Sequence, residues 1–189
     1  HIQIFEGSDD GVEFFGGTVN VSQVAVVNAE DDSIDWTEGY IGTLTDVYVQ
    51  HGNNHDKAFE CDGYNTDFSN EGGYFSAPNV NNVTVVGTGE ASTEGIRLRA
   101  GTQGIFTNVV VTDFEEAFDL DGDTGDNTTG QGVIDGLLQV IDVSFNNVTT
   151  KLKNDTGFTF TEADFISGDG NGTGTDVASW ATGWTVGIN

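Results

Sequence analysis

Four aspartates fall within eight residues of the segment DLDGDTGDN, at Asp119, Asp121, Asp123 and Asp126. Carboxylate oxygens on a short polar turn are the ligands that Ca²⁺ prefers. The spacing is not that of an EF-hand, because Gly125 comes one residue late for the loop glycine and Gly130 stands at the twelfth position. We therefore predict an irregular calcium site here, with a merely acidic loop as the alternative.

Further carboxylates recur at one place in successive repeats, and the predicted metal ligands among them are Asp9, Asp31 and Asp32. If these repeats stack, the carboxylates lie ~5 Å apart and repel by roughly 3 kcal/mol at an effective dielectric constant near 20. Such groups must turn away from one another, take up protons or bind a cation. We predict Ca²⁺ at this corner, and solvated carboxylates are the alternative.

The chain has only two arginines, Arg97 and Arg99, in one strand of the repeat. The repeat places Glu60 and Asp119 beside Arg97, and Asp62 and Asp121 beside Arg99. This pattern predicts salt bridges between strands on the outer face. The alternative is a site in which either arginine contacts a uronate or sulfate group of a polysaccharide.

Two insertions interrupt the repeat, one from Asp62 to about Pro78 and one from Asp121 to Gly132. Both leave it just after the same apolar position, so we expect them to emerge from one edge. The first carries Tyr64 and Tyr74, which would pack in a small hydrophobic cluster or form a platform for sugars. Together with the arginines they are the candidate carbohydrate-binding residues.

These groups are positioned by a repeat, and internal similarity is the strongest signal in the chain. Five segments share the order polar, charged, small, apolar, charged, apolar. Their first apolar residues are spaced by 22, 25, 37 and 22 positions, and are Val12, Ile34, Phe59, Ile96 and Phe118.

A second strand follows the first four copies, with the sequences VSQVAV, LTDVYV, VNNVTV and FTNVVV. Alternation with a period of two gives each strand one inward and one outward face. Short strands that recur about every 22 residues indicate a solenoid, whereas a propeller would need about 40 residues per blade. The pattern predicts an all-β chain folded as a parallel β-helix.

The segments DDGVEFFGGTVNVSQVAVV, GIRLRAGTQG and AFDLDG resemble a right-handed parallel β-helix family of long secreted or surface-anchored proteins of aquatic bacteria. More distantly, the coils are similar to the pectate-lyase-like superfamily. The resemblance implies a right-handed solenoid and an extracellular or cell-surface location. The catalytic signatures of that superfamily are not found in this sequence.

The charge excludes some partners. Thirty-one acidic residues face five basic ones, giving a net charge of −26. A nucleic-acid-binding protein needs a basic surface, so this class is excluded. The apolar runs are too short to span a bilayer, so we expect no membrane insertion.

We expect β-helix coils over residues 1–145 and an irregular final coil or C-terminal cap over residues 146–189. Because His1 falls inside a strand pair, we also expect the coils to continue upstream of residue 1, or a second copy to stack end to end.

The sequence offers no recognisable catalytic nucleophile and no recognisable general base to pair with it, which favours a non-enzymatic role. We predict a calcium-stabilised structural domain of a surface stalk, adhesin or filament. The alternatives are a carbohydrate-binding module for extracellular polysaccharide, and a Ca²⁺-dependent polysaccharide lyase or hydrolase.

Overall fold

A computed structural model describes residues 1–64, 74–122 and 129–188. The described residues contain short strands joined by turns, with helical turns in the second half of the chain. In chain order the elements are β1 (Ile2–Phe5), β2 (Val12–Phe15), β3 (Val21–Val27), β4 (Ile34–Thr37), β5 (Thr43–Gln50), β6 (Phe59–Asp62), β7 (Asn79–Val86), β8 (Glu94–Arg99), β9 (Gly104–Thr112), β10 (Glu116–Asp121), α1 (Thr129–Ile134), β11 (Leu138–Asn146), β12 (Thr150–Asp155), α2 (Glu162–Phe165), β13 (Ile166–Asp169) and α3 (Val177–Ala181).

The strands form two sheets, and every pairing is parallel. Sheet A has the order β1-β3-β5-β7-β9-β11-β13, and sheet B contains β2-β4-β6-β8-β10-β12. Because consecutive strands up to β12 alternate between the sheets, the chain winds as a coil. The predicted parallel β-helix is confirmed.

The register confirms the predicted interior columns. In sheet B each member of one column pairs with the next, in the order Val12, Ile34, Phe59, Ile96, Phe118 and Leu152. In sheet A the matching column is Val24, Val47, Val83, Val109 and Val143. These residues face one another in a single hydrophobic core between the sheets. Since a slip of one residue would turn every side chain to the other face, the core specifies this register.

Both sheets continue beyond residue 145. Strand β12 pairs with β10, and β13 pairs with β11. The chain then turns back, and residues 171–188, here called the C-terminal strap, lie along the outer face of sheet A.

Each long strand of sheet A bends at one residue. These residues have a left-handed φ of 55–60°, and they are Gln23, Asp46, Asn82, Asn108 and Asp142. Asparagine and aspartate tolerate this conformation better than other non-glycine residues. Asn108 Nδ2 donates to Asn82 Oδ1 at 2.9 Å, and Asn82 Nδ2 donates to Asp46 Oδ1 at 2.9 Å. The bend therefore carries a ladder of side-chain hydrogen bonds between coils.

The strap is fastened to this ladder and to the first strand. Asn108 Oδ1 accepts hydrogen bonds from the backbone N–H groups of Thr173 at 2.7 Å and Gly174 at 3.1 Å. At the other end, the side chain of Gln3 donates to the Val186 carbonyl at 2.6 Å and accepts from its N–H at 2.9 Å. The strap thus ties β9 to β1 across sheet A.

Candidate functional site: the charged face of sheet B

The outer face of sheet B carries a continuous column of charged side chains. Strand pairing places them in the order Glu13, Asp35, Glu60, Arg97, Asp119 and Lys153. They face outward because the apolar residues that alternate with them fill the core. All the basic members lie towards the C-terminal coils, so the column is acidic at one end and of mixed charge at the other.

At the mixed end, both arginines form ion pairs. Arg97 Nε donates to Asp121 Oδ2 at 2.8 Å. Arg99 reaches two carboxylates, with Nε 2.6 Å from Asp62 Oδ1 and Nη2 2.6 Å from Glu60 Oε2. The predicted contact between Arg99 and Asp62 is confirmed.

The predicted partners of Arg97 are wrong. We expected Glu60 or Asp119 from direct pairing, but Arg97 contacts Asp121, which lies diagonally across the two strands. Diagonal neighbours are within reach of a long side chain. The two carboxylates that we expected to contact Arg97 have other partners. Lys153, on β12, contacts Asp119 at 3.3 Å, and Arg99 contacts Glu60. The ladder therefore forms with a shifted set of partners.

Asp119 lies at the centre of this region and is 2% exposed. Burial raises the pKa of its carboxyl group, and the neighbouring Asp121 acts in the same direction. Its Oδ1 atom is buried without a hydrogen-bond partner among the described residues. One oxygen of Asp119 also lies within 4.8 Å of carboxylate oxygens of Glu94 and Glu116. Lys153 contacts both Asp119 and Glu116, so a cationic side chain already serves this cluster.

At the acidic end, three carboxylates converge. One oxygen from each of Asp10, Asp32 and Asp35 lies within 4.8 Å of the other two. Asp10 Oδ1 accepts the backbone N–H of Asp32 at 3.1 Å, and Asp32 Oδ1 accepts that of Lys57 at 2.8 Å. Among the described residues, no lysine or arginine forms an ion pair with these three groups. We call this set the Asp10 cluster.

The electrostatics of the Asp10 cluster are unfavourable for three charged groups. Burial, followed by repulsion from Glu60, raises the pKa of Asp32 to about 8. Burial, followed by repulsion from Asp10 and then Glu13, raises the pKa of Asp35 to about 8. Burial also raises the pKa of Asp10, against its hydrogen bond from the Asp32 backbone. Near neutral pH the carboxyl groups of Asp32 and Asp35 must therefore retain protons or share a cation.

Asp35 was not among the predicted ligands. The signal for it was present in the sequence, because Asp35 alternates with the core residues Ile34 and Trp36 and follows Glu13 in the outer column. What the repeat alone did not give is the approach of the turn residues Asp10 and Asp32 to that column.

The other predicted metal ligands also fall in groups of three carboxylates within 4.8 Å. Asp9 and Asp31 approach Asp10, Asp31 and Asp32 approach Asp56, and Asp119 and Asp121 approach Asp155. Asp123 and Asp126 lie outside the described residues, so the irregular calcium loop stays a prediction.

The two predicted aromatic residues have different surroundings. The Tyr64 ring packs edge-on against Phe75, with 5.4 Å between ring centroids. Tyr74 is 74% exposed. Much of the first insertion, residues 65–73, lies outside the described residues, so its role in binding stays a prediction.

A known protein family matches almost the whole chain. The model of the pectate-lyase-like beta helix domain matches residues 1–185, and the chain belongs to that family. No curated protein and no solved structure matches the chain. None of the helices in the described parts of the chain is long and apolar enough to cross a membrane.

Proposed function

We propose that this pectate-lyase-like β-helix domain is a non-enzymatic structural unit of an extracellular or cell-surface protein, and that Ca²⁺ stabilises it. The observation that carries the proposal is the Asp10 cluster, in which three carboxylates converge on the acidic end of sheet B.

A bound cation relieves the repulsion within this cluster while the carboxylates stay ionised, whereas protonation relieves it by removing their charge. Ca²⁺ takes six to eight oxygen ligands at 2.3–2.6 Å, and carboxylates, backbone carbonyls and waters supply them in flexible geometries. Oxygens within 4.8 Å of one another can surround one such ion after small side-chain rotations. The bound ion favours the ionised carboxylates and thereby removes the cost of their mutual repulsion.

An extracellular setting fits the same electrostatics. A net charge of −26 on 189 residues opposes compact folding unless counterions screen it. Extracellular modules typically bind Ca²⁺ with dissociation constants of about 10⁻⁴–10⁻³ M, which matches weak, partly exposed carboxylate sites of this kind.

The arginine pairs support a structural role over a catalytic one. A lyase that used Arg97 or Arg99 would need that guanidinium group to face substrate. Instead Arg97 is held by Asp121, and Arg99 by Glu60 and Asp62. These pairs join neighbouring strands, which is a stabilising arrangement on a face crowded with carboxylates.

Thermal unfolding tests the calcium proposal. We expect millimolar Ca²⁺ to raise the melting temperature relative to chelator, since a ligand that binds only the folded state stabilises it by mass action. The variant Asp10→Asn should lose most of this increase, and Glu162→Gln, an exposed substitution on α2, should keep it. Equal midpoints with and without Ca²⁺, together with no bound metal by elemental analysis, would refute it.

Incubation with polygalacturonate and Ca²⁺ tests the non-enzymatic part. We expect no unsaturated uronate product by ultraviolet absorbance and no new reducing ends. Sustained turnover that is lost in Arg97→Lys or Arg99→Lys would establish an enzyme instead.

A further inference from the structure

The outer face of sheet A is uncharged over the first half of its strands. Strand pairing places two columns of outward side chains there, and none of the ten residues is charged. The first column is Thr43, Asn79, Ile105 and Gln139, and the second is Ser22, Thr45, Asn81, Thr107, Ile141 and Ser167. They face outward because the apolar residues that alternate with them fill the core. We call these two columns the neutral face.

The neutral face contrasts with the rest of the molecule. The chain carries a net charge of −26, and the outer column of sheet B is charged at every position from Glu13 to Lys153. Two carboxylates lie at the adjacent bend, and both are hydrogen-bonded within the chain. Asp46 Oδ1 accepts from Asn82 Nδ2 at 2.9 Å, and Asp142 Oδ1 accepts from Asn171 Nδ2 at 3.2 Å. A partner that approaches this face therefore meets hydroxyl, amide and aliphatic groups.

An apolar row borders the neutral face where the strands of sheet A begin. Val19, Ile41 and Leu137 stand just before β3, β5 and β11, and each is 47–60% exposed. Ala77 and Gln103 hold the matching positions in the two turns between Ile41 and Leu137, so the row carries no charge. Exposed apolar side chains that adjoin one another are typical of protein interaction surfaces.

The spacing of the neutral face matches a second copy of the same solenoid. Neighbouring strands lie ~4.8 Å apart, so its side chains repeat at that distance over six strands. A partner with the same repeat interdigitates along the whole length, whereas a different repeat falls out of step after a few strands. Threonine and isoleucine are stiff at the Cβ atom, so fixing them in a contact between sheets costs little entropy.

The charge distribution also favours a second copy at this face. Sheets A and B form opposite sides of the coil, so pairing through two neutral faces leaves the charged columns of both copies pointing outward. Pairing through sheet B or through the Asp10 cluster would instead bring carboxylates of the two copies together, and like charges repel. The neutral face is thus the surface at which two such acidic chains approach at least electrostatic cost.

The C-terminal strap restricts how the two copies are oriented. It lies on the other half of sheet A and forms a ridge beside the neutral face. A two-fold axis parallel to the solenoid places the ridge of each copy beside the apolar row of the other. A two-fold axis along the strands would set the two ridges against each other and hold the faces apart.

We propose that two copies of this chain associate side by side through their neutral faces and apolar rows. Six strands and four residues per strand give a flat area of roughly 29 Å by 13 Å on each copy. A stable complex buries about 800 Å² on each partner, so this dimer is weak and depends on concentration. The inference goes beyond the proposed function, because it names a partner and requires no Ca²⁺.

Sedimentation equilibrium with chelator present tests the proposal over a wide range of protein and salt concentrations. We expect a monomer–dimer equilibrium that shifts towards dimer as the salt concentration rises to molar, because salt screens the repulsion between the two acidic copies. The chelator separates this test from the calcium proposal, which is measured by the melting temperature.

Charge placed on the neutral face should prevent the association. Thr45→Glu and Thr107→Glu each put a carboxylate on this face of both copies, and each should weaken the dimer at least tenfold, about 1.4 kcal/mol. Thr88→Glu makes the same change at an exposed turn outside the face and should leave the dimer unchanged. Thermal unfolding of each variant verifies that it is folded.

A second variant avoids the half-buried positions. Ile41→Ser with Leu137→Ser removes two exposed apolar side chains, which leaves the core intact, and it should also weaken the dimer at least tenfold. Three results would overturn the proposal. One is a monomer at every protein concentration up to millimolar in molar salt. The second is an association that weakens as salt is raised, and the third is a dimer that survives both the glutamate and the serine variants unchanged.

Discussion

Replacing Asp35 by asparagine should stabilise this protein in the absence of Ca²⁺. This is unusual, because most substitutions at half-buried positions destabilise a protein even when the new side chain has the same shape. Asp35 pairs with Glu13 on one side and Glu60 on the other, and one of its oxygens approaches Asp10 and Asp32. Asparagine keeps the shape and can still hydrogen-bond, but it cannot ionise. The substitution therefore removes a charge that the folded state disfavours.

The pKa values set the size and the sign of the effect. The carboxyl group of Asp35 has a pKa of about 8 in the folded protein, against a reference of 3.8. The folded state thus binds the proton more tightly, so the contribution of Asp35 to the free energy of unfolding is greatest below pH 4 and falls as the pH rises towards 8. At pH 7 this shift lowers the free energy of unfolding by at most about 4 kcal/mol, relative to a group whose pKa does not change on folding. Because the charge of Asp32 is one of those that raise the pKa of Asp35, the two groups titrate as a coupled set, and we expect the gain from Asp35→Asn to be about 2–3 kcal/mol.

Urea denaturation at pH 4, 5.5, 7 and 8, with chelator present, measures this effect. The free energy of unfolding of Asp35→Asn should exceed that of the parent at pH 7 and 8, and the two should converge at pH 4. With millimolar Ca²⁺ the advantage should shrink, because the ion stabilises only the parent's ionised cluster. An asparagine variant that is less stable at every pH, or a difference independent of pH, would refute the reasoning.

Three further substitutions test other parts of the structure. Phe118→Ala should cost about 3–5 kcal/mol, because Phe118 is fully buried in the central column and its removal leaves a cavity; chemical denaturation measures this, and a cost below ~1 kcal/mol would contradict the packing. Asn108→Ala should cost about 2–3 kcal/mol and speed hydrogen exchange at Thr173, because the strap loses its acceptor; unchanged exchange would mean that the strap is held elsewhere. Arg97→Met should lower the free energy of unfolding by about 3 kcal/mol, because Asp121 loses this partner. An unchanged free energy of unfolding would mean that the pair does not stabilise the fold.

The interior of the β-helix could be predicted because it depends on local alternation. A strand with a period of two must bury one face, and stacked copies of the same pattern bury it against one another. Val12, Ile34, Phe59, Ile96 and Phe118 therefore fall in one column whatever the turns do.

The partners of the outer charges were only partly predictable. The sequence predicts which charged residues share a column. A long side chain can reach both its direct and its diagonal neighbours, however, and which one it contacts depends on the other charged side chains nearby. Arg97 contacts Asp121, and Asp119 is instead contacted by Lys153, from a coil that the repeat did not reveal.

The sequence by itself determined the two-sheet coil, its register and the acidic character of its outer face, because each follows from a periodicity written along the chain. Only the tertiary structure decided which turns approach one another. The Asp10 cluster joins two turn residues to a strand residue. The strap crosses sheet A to reach Gln3 from the far end of the chain. Turn conformations depend on residues with a left-handed backbone conformation and on contacts between coils. Such long-range contacts leave no periodic signal in a single sequence.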